Sequence, residues 1–226
     1  MAKIILDLCG GTGAWSKPYV EAGYDVRIIT LPEYDMRNYT LLRDGWTEWS
    51  RKGWIEWSRK GWPSCLVDIA LVHGILFAPV CTEFSLAKGA APRDFEEAME
   101  LVEAGLRIIW TIRAYPGSQL KFWALENPVG FLRQFLGKPA YTFEQWEYGH
   151  AGVKRTDLWG YLKPPTPTVK TRPGGLSVRY PNGRANGRGM SCPICPPEYK
   201  HMGLDRAAIR AITPKGFAEA FYRANK

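Results

Sequence analysis

Apolar positions along this chain fall into short aliphatic runs separated by turns and by segments of helical period. Residues 3–8 form the first strand-like run, the cluster Gly10-Gly11-Thr12-Gly13 reads as a turn, and residues 15–22 fit a helix stopped by Gly23. Residues 26–31 resume a β-branched pattern, giving a strand, glycine turn, helix, strand unit. Parallel pairing is expected, because the helix supplies the crossover. Residues 66–77, broken at His73-Gly74, predict a central strand in their second half that leads into Cys81. Phe95, Met99, Val102, Leu106 and Ile109 then recur at helical spacing, with Glu96, Glu97, Glu100, Glu103 and Arg107 facing elsewhere. That helix packs on the sheet and carries no chemistry. Residues 122–125 predict another buried strand, residues 129–136 a short helix, and residues 214–224 a helix whose Phe217, Ala220 and Phe221 return to the main domain. The alternation is that of an α/β sheet domain.

Two stretches break the pattern. Residues 45–60 hold a tandem octad, Gly45-Trp46-Thr47-Glu48-Trp49-Ser50-Arg51-Lys52 and then Gly53-Trp54-Ile55-Glu56-Trp57-Ser58-Arg59-Lys60, with Gly61-Trp62 opening a third copy. Two copies are too few for a solenoid, so the repeat enlarges a surface excursion. Its rings and Arg-Lys pairs suit stacking on bases and neutralising phosphates, or else form a helical or looped insert whose tryptophans pack on the domain. Residues 163–197 are dense in proline and glycine and carry Lys170, Arg172, Arg179, Arg184 and Arg188. Such a stretch builds no second large core and reads as an irregular basic annex.

A length of 226 residues fits one domain with a small annex, and 46% hydrophobic content with ten tryptophans argues against global disorder. The formal charge of +8 favours a polyanionic partner such as nucleic acid. The five cysteines, Cys9, Cys65, Cys81, Cys192 and Cys195, are not spread like a secreted disulfide framework. The first apolar run is interrupted at Asp7, and the most apolar stretch is far short of a bilayer span, so a reducing, intracellular setting without membrane is expected.

Chemistry gathers at strand ends. Cys81 follows the central run and Pro79, where a thiol at the carboxyl edge of a sheet can act as nucleophile, although a buried cysteine can equally be structural. Glu126 follows residues 122–125, a sheltered position suited to giving a proton or to hydrogen-bonding a protonated ring nitrogen. Asp7-Leu8-Cys9-Gly10-Gly11-Thr12-Gly13 lacks the spacing and lysine of a phosphate-gripping loop; its glycines let backbone approach a ligand, and Asp7 can orient the turn or accept from an ammonium group. Arg155 in Lys154-Arg155-Thr156 suits a phosphate or a pyrimidine carbonyl, or is a solvent-facing basic turn. Cys192, Cys195 and His201 suggest zinc, but a closed site wants four ligands and only His150 offers a fourth, so no metal is expected.

In this order the elements resemble the C5-cytosine DNA methyltransferases, especially the compact phage and prophage members. Asp7-Leu8-Cys9-Gly10-Gly11-Thr12-Gly13-Ala14 is similar to the family's cofactor motif, with Cys9 in place of its usual Phe. Pro79-Val80-Cys81-Thr82-Glu83-Phe84-Ser85 is similar to the nucleophile motif, with Val80 for the second proline. Glu126-Asn127-Pro128 stands for Glu-Asn-Val, Lys154-Arg155-Thr156 loosely for the later arginine motif, and residues 210–221 for the phage members' ending. The likeness covers residues 3–39 and 72–160. The strand ending at Thr30-Leu31 lacks the family's ribose-binding acid, which leaves Glu33 as a substitute if the turn folds back, while Asp35 matches the acid near the adenine.

The resemblance implies a Rossmann-like S-adenosylmethionine-dependent methyltransferase fold. It implies a catalytic domain over residues 1–160 with an insertion at 43–64, a reduced target-recognition annex over 161–200, and a C-terminal segment, 201–226, that returns to the catalytic domain. The implied catalytic residues are Cys81, Glu126 and Arg155. Asp7, Leu8, Cys9, Gly11, Gly13, Asp35 and Pro79 are implied for the cofactor, and Ser85, Asn127, Lys154, Arg155 and Thr156 for the substrate. The expected reaction is methyl transfer to C5 of cytosine in DNA, with base flipping from a duplex, in the cytoplasm of a bacterial host or phage-infected cell. The alternatives are modification of a free cytosine nucleotide or of RNA, or a catalytically silent DNA-binding decoy.

Overall fold

The computed structural model describes residues 3–41, 45–51, 65–150, 154–173 and 195–226. The second tryptophan octad, residues 174–194 of the basic annex and Cys192 lie outside them.

The expected opening unit forms as strand β1 (Ile4–Leu8), helix α1 (Lys17–Glu21) and strand β2 (Asp25–Ile29), with β1 and β2 parallel. The chain then builds a separate three-stranded antiparallel sheet from β3 (Tyr34–Leu41), β4 (Trp46–Arg51) and β5 (Cys65–Asp68). The first octad is therefore a strand between β3 and β5, not a helix or loop. Its Trp and Thr residues favour a pleated backbone once a partner edge exists on each side.

From β5 the chain returns to the main sheet through β6 (Val72–Phe77), which pairs parallel with β1 on the side away from β2. Within residues 66–77 the chain breaks at Ile69–Leu71, and at His73-Gly74 the strand continues but its register on β1 shifts, Ile4 facing Val72 and Ile5 facing Gly74. There the Asp68 side chain accepts from the Ala70 N–H and caps a single tight turn. The Phe122 ring covers Gly74 within β6: a Cβ at this position would lie 2.1 Å from Phe122 Cζ.

Helix α2 (Phe95–Ala114) crosses to β7 (Phe122–Pro128), which is parallel to β6. Helix α3 (Leu132–Leu136) is shorter than expected, since the Val129 N–H donates to the Arg155 carbonyl and Gly130 bridges Ser85. Strands β8 (Tyr141–Glu144) and β9 (Arg155–Tyr161) follow, β9 antiparallel to both β7 and β8. The six-stranded order is β2-β1-β6-β7-β9-β8. The chain steps from β1 to β2 on one side and, after the small sheet, re-enters at β6 on the other side of β1, so the order reverses between β1 and β6. Open α/β sheets bind their ligands at the carboxyl ends of the strands flanking such a reversal.

Every residue of β1 and β6 is buried, as expected of strands covered on both faces. Alternation sends Ile4, Leu6 and Leu8 toward Val102, Ile108, Ile109 and Ile112 of α2, and Ile5 toward Trp15 and Tyr19 of the other layer. Helix α4 (Arg206–Ala211), which buries no residue, leads into α5 (Lys215–Ala224), and α5 closes that second layer. Phe217 stacks on Phe143 at 4.1 Å between ring centroids, and Phe221 meets Trp15 edge-on at 5.2 Å. Each fully buried ring contributes roughly 1.5–3 kcal/mol. Asn225 then fastens the chain's end, its side chain exchanging hydrogen bonds of 2.8 and 2.9 Å with the Lys163 backbone. Among the described residues no helix is long and apolar enough to cross a membrane.

Candidate active site

The thiol loop grows directly out of β6. The Ala78 N–H donates to the Leu8 carbonyl at 3.0 Å and extends the β1 pairing by one step. Pro79 has no N–H to continue the ladder, and its carbonyl accepts from Asn127 Nδ2 at 3.2 Å. The Cys81 carbonyl accepts from the Phe84 and Ser85 N–H groups, at 3.2 and 2.8 Å, and closes a tight turn around the cysteine. Phe84 is buried, stacks with Phe95, and accepts at its carbonyl from the Phe131 N–H at 2.8 Å. Gly130 lets the two loops meet: a Cβ there would lie 2.2 Å from the Phe84 oxygen. Farther along, the Glu83 carboxylate pairs with Lys88 and accepts from the Asp94 N–H, while Arg93 donates to the Glu83 carbonyl and lies over the Phe131 ring. The segment after the thiol is therefore tied to the segment after β7.

Glu126 sits one residue beyond the last β6–β7 pair, Phe77 with Leu125, where β6 has turned away toward Pro79. The antiparallel register of β9 sets Thr156 opposite Pro128, which brings Lys154 to the same edge. Lys154 Nζ lies 3.7 Å from Glu126 Oε1, both side chains about four-fifths buried.

Three charges bear on the half-buried Cys81. Burial pushes its thiol up most strongly; the Lys154 cation draws it down, the Glu126 carboxylate pushes it up, and the cysteine's own N–H and Arg210 draw it down. Thiol, carboxylate, lysine and the α4 guanidinium thus share one electrostatic neighbourhood. His150 stands near it, its imidazole held below the usual range by burial and by the Lys154 charge.

On the adjacent strand the glycine turn begins at Cys9, a left-handed residue with φ of 59°, followed by left-handed Gly11 and Gly13. The Gly13 N–H donates to the Gly10 carbonyl at 2.9 Å, and the Cys9 N–H holds the Ile29 carbonyl at 2.8 Å. Asp7 is fully buried beneath this turn: a Cβ on Gly10 would lie 2.4 Å from its Cγ, so only glycine fits above it. Burial pushes the Asp7 carboxyl up to about 7, against a hydrogen bond from Ser16, and its Oδ1 has no partner. Cys9 is pushed up to about 12 by burial and by the nearby Asp7 and Asp35 carboxylates. Asp35 thus approaches the turn, but Arg37 grips it through the backbone N–H and both arms of the guanidinium fork. Leu8 contributes its side chain to the core and its carbonyl to Ala78.

The remaining candidates divide. Asn127 is buried with Nδ2 on the thiol loop and Oδ1 without a partner; Thr156 is buried with its hydroxyl likewise unmatched. Ser85 accepts at its hydroxyl from the Ala87 N–H, capping the turn that follows. Successive residues of an extended chain face opposite ways, so Arg155 departs from Lys154; its Nε lies 3.9 Å from Glu144 Oε1, and the side chain is 59% exposed. Arg210 was not singled out by the sequence, where only the Asp205 cap and the apolar spacing of α4 signal a helix able to present it. Cys195 is half-buried and His201 exposed, and among the described residues no group of three or more His, Cys, Asp or Glu side chains is placed to hold a metal ion.

No protein-family model matches the sequence, and no curated protein matches it. Among solved structures the chain is similar to the methyltransferase EhMeth of Entamoeba histolytica, at 9% sequence identity and a TM-score of 0.38. The alignment covers 75% of this chain and spans 56% of that one.

Proposed function

We propose that the chain is an S-adenosylmethionine-dependent methyltransferase acting at C5 of a cytosine in nucleic acid, with Cys81 as the covalent nucleophile. The reading is carried by one observation: Cys81 and Glu126 stand at neighbouring strand ends, with Lys154 between their fields, beside the sheet reversal whose other strand ends in the glycine turn. A structural cysteine has no need of a carboxylate and an amine arranged around it.

The turn fits the cofactor. Nothing lies within 4 Å of where a Gly11 side chain would begin, and the left-handed backbone of Cys9, Gly11 and Gly13 leaves the turn's upper side to main-chain atoms. The backbone of residues 9–13 and of Pro79 would hold it, Asp7 would set the turn's shape from below, and Asp35 with Arg37 would form a wall. S-adenosylmethionine supplies an electrophilic methyl group there.

The chain's own residues do the rest. Cys81 thiolate adds to ring C6, forming an S–C6 bond and moving electron density to C5. Glu126 grips the ring edge at N3, where the proton is held as that density shifts. C5 then takes the methyl group, the C5 proton is lost to a base, and the S–C6 bond breaks to restore the aromatic ring. Once its charge is engaged by a proton at N3, Glu126 repels the thiolate less, so seating the base favours the nucleophile. Asn127 and the Ser85–Gly130 bridge hold the two loops in register while this happens.

DNA is the substrate class the sequence resemblance implies, and a duplex would have to flip the base, since stacking seals the ring faces. The few residues between Gly160 and His201 leave little room for reading sequence. Nucleoside mass spectrometry after incubating DNA and RNA separately with protein and S-adenosylmethionine distinguishes the cases. A methyl gain on cytosine in one polymer, abolished by Cys81→Ala, is expected. Methyl transfer to adenine, or unchanged transfer by the variant, overturns the chemistry. A gain only on RNA or on free cytidine nucleotide moves the substrate and leaves the mechanism standing, whereas binding without any transfer returns the chain to a decoy.

A further inference from the structure

A cleft of about 220 Å³ opens between α1, the segment ending at His150, and the C-terminal helices. Lys17, Arg210 and Lys215 line it from three separate elements, together with His150. Arg210 combines two features. Among the described residues it makes no hydrogen bond or ion pair, and unlike the exposed Lys17 and Lys215 it is half-buried. Lys215, by contrast, has Glu219 at 3.9 Å. The cleft also has acids, but Glu219 is engaged with Lys215 and Arg223, and Glu21 and Glu198 lie toward Tyr199, whose phenol both raise. Of the cleft's cations Arg210 is the one whose charge reaches Cys81, and Lys154 adds its own beside His150.

A half-buried guanidinium without a carboxylate, facing a cleft, matches a bidentate oxyanion. A base seated at Cys81 carries flanking phosphodiesters, and Arg210 is close enough for its charge to bear on that thiol. We infer that Arg210 grips a phosphodiester flanking the target cytosine, so that helix α4 anchors the substrate strand at the site. This rests on the proposed nucleic-acid substrate. The contact positions the strand and reads no sequence.

The test is equilibrium binding, which needs no chemistry and so fails separately from the transfer reaction. Fluorescence anisotropy is measured for short single strands of DNA and of RNA with one central cytosine, over a range of salt. Arg210→Gln should weaken binding about tenfold and lower the salt slope by about one released ion, while Arg210→Lys keeps most of the slope. For the unaltered protein, a probe with neutral methylphosphonates on either side of the cytosine should show the same loss, and Arg210→Gln should bind it no worse than the unaltered protein does. Equal affinity and slope for Arg210→Gln with an unchanged melting temperature overturns the inference. Should that variant not fold, undiminished binding of the neutral probe by the unaltered protein overturns it equally. The DNA and RNA arms show which polymer supplies the phosphate.

Discussion

Glu126 Oε1 and Lys154 Nζ lie 3.7 Å apart, and their charges pull the Cys81 thiol in opposite directions. Lys154 favours the thiolate and Glu126 disfavours it. Lys154→Gln should therefore move the pH profile of Cys81 alkylation by iodoacetamide toward higher pH, and Glu126→Gln should move it lower. Profiles that shift together, or neither shifting, would separate the thiol from this pair.

Asp7 carries a stability consequence of its own. Its carboxyl stands at about 7 in the folded chain against 3.8 for the free side chain, with burial as the chief cause. Below pH 4 both states hold the proton; between about 4 and 7 the unfolded chain releases it first, so stability falls as pH rises through that window and levels off above it. The loss is on the order of 4 kcal/mol. Asp7→Asn should flatten the dependence of the urea midpoint over this range. An identical slope in the variant would remove Asp7 as its source.

Gly130 tests the stitch between the loops. With a Cβ directed 2.2 Å from the Phe84 carbonyl oxygen, Gly130→Ala must push the thiol segment away from β7. A stability loss of about 1–3 kcal/mol in denaturant titration is expected, with a larger fall in methyl transfer than the folded fraction accounts for. Activity that merely tracks the folded fraction would deny the stitch any part in alignment.

Phe217 couples the C-terminal helices to the sheet through Phe143, Tyr148 and Trp15. Phe217→Ala should cost about 3–5 kcal/mol. Because α4 and α5 adjoin, the loss should appear in hydrogen exchange as early opening of both helices. Opening confined to α5 would show that α4, and Arg210 with it, is held by other contacts.

The opening strand, turn, helix and strand were legible in the sequence because glycines and a change of period mark them locally. Cys81 and Glu126 at neighbouring strand ends were legible for a similar reason: Pro79 and Pro128 interrupt two apolar runs, and runs of that kind pack side by side. Three features were not. The turn at Ile69–Leu71 depends on one Asp68 side chain, while the more conspicuous His73-Gly74 makes only a register shift against β1, with Phe122, far along the chain, packed on Gly74. Which of Lys154 and Arg155 faces Glu126 is fixed by the register of β9 on β7, and a slip of one residue would exchange them. Arg210 reaches the thiol's neighbourhood only through the docking of α4, a contact between residues more than a hundred positions apart.

The central claim is a covalent bond from Cys81 to a cytosine ring. The most direct measurement is trapping on oligonucleotides carrying 5-fluorocytosine, whose C5 fluorine cannot leave as a proton does, in the presence of S-adenosylmethionine. A denaturation-resistant complex should form on DNA or RNA, with the mass of protein, strand and one methyl group and the crosslink mapped to Cys81, and it should vanish in Cys81→Ala. No complex on either polymer, or a complex that persists in the variant, would contradict the account.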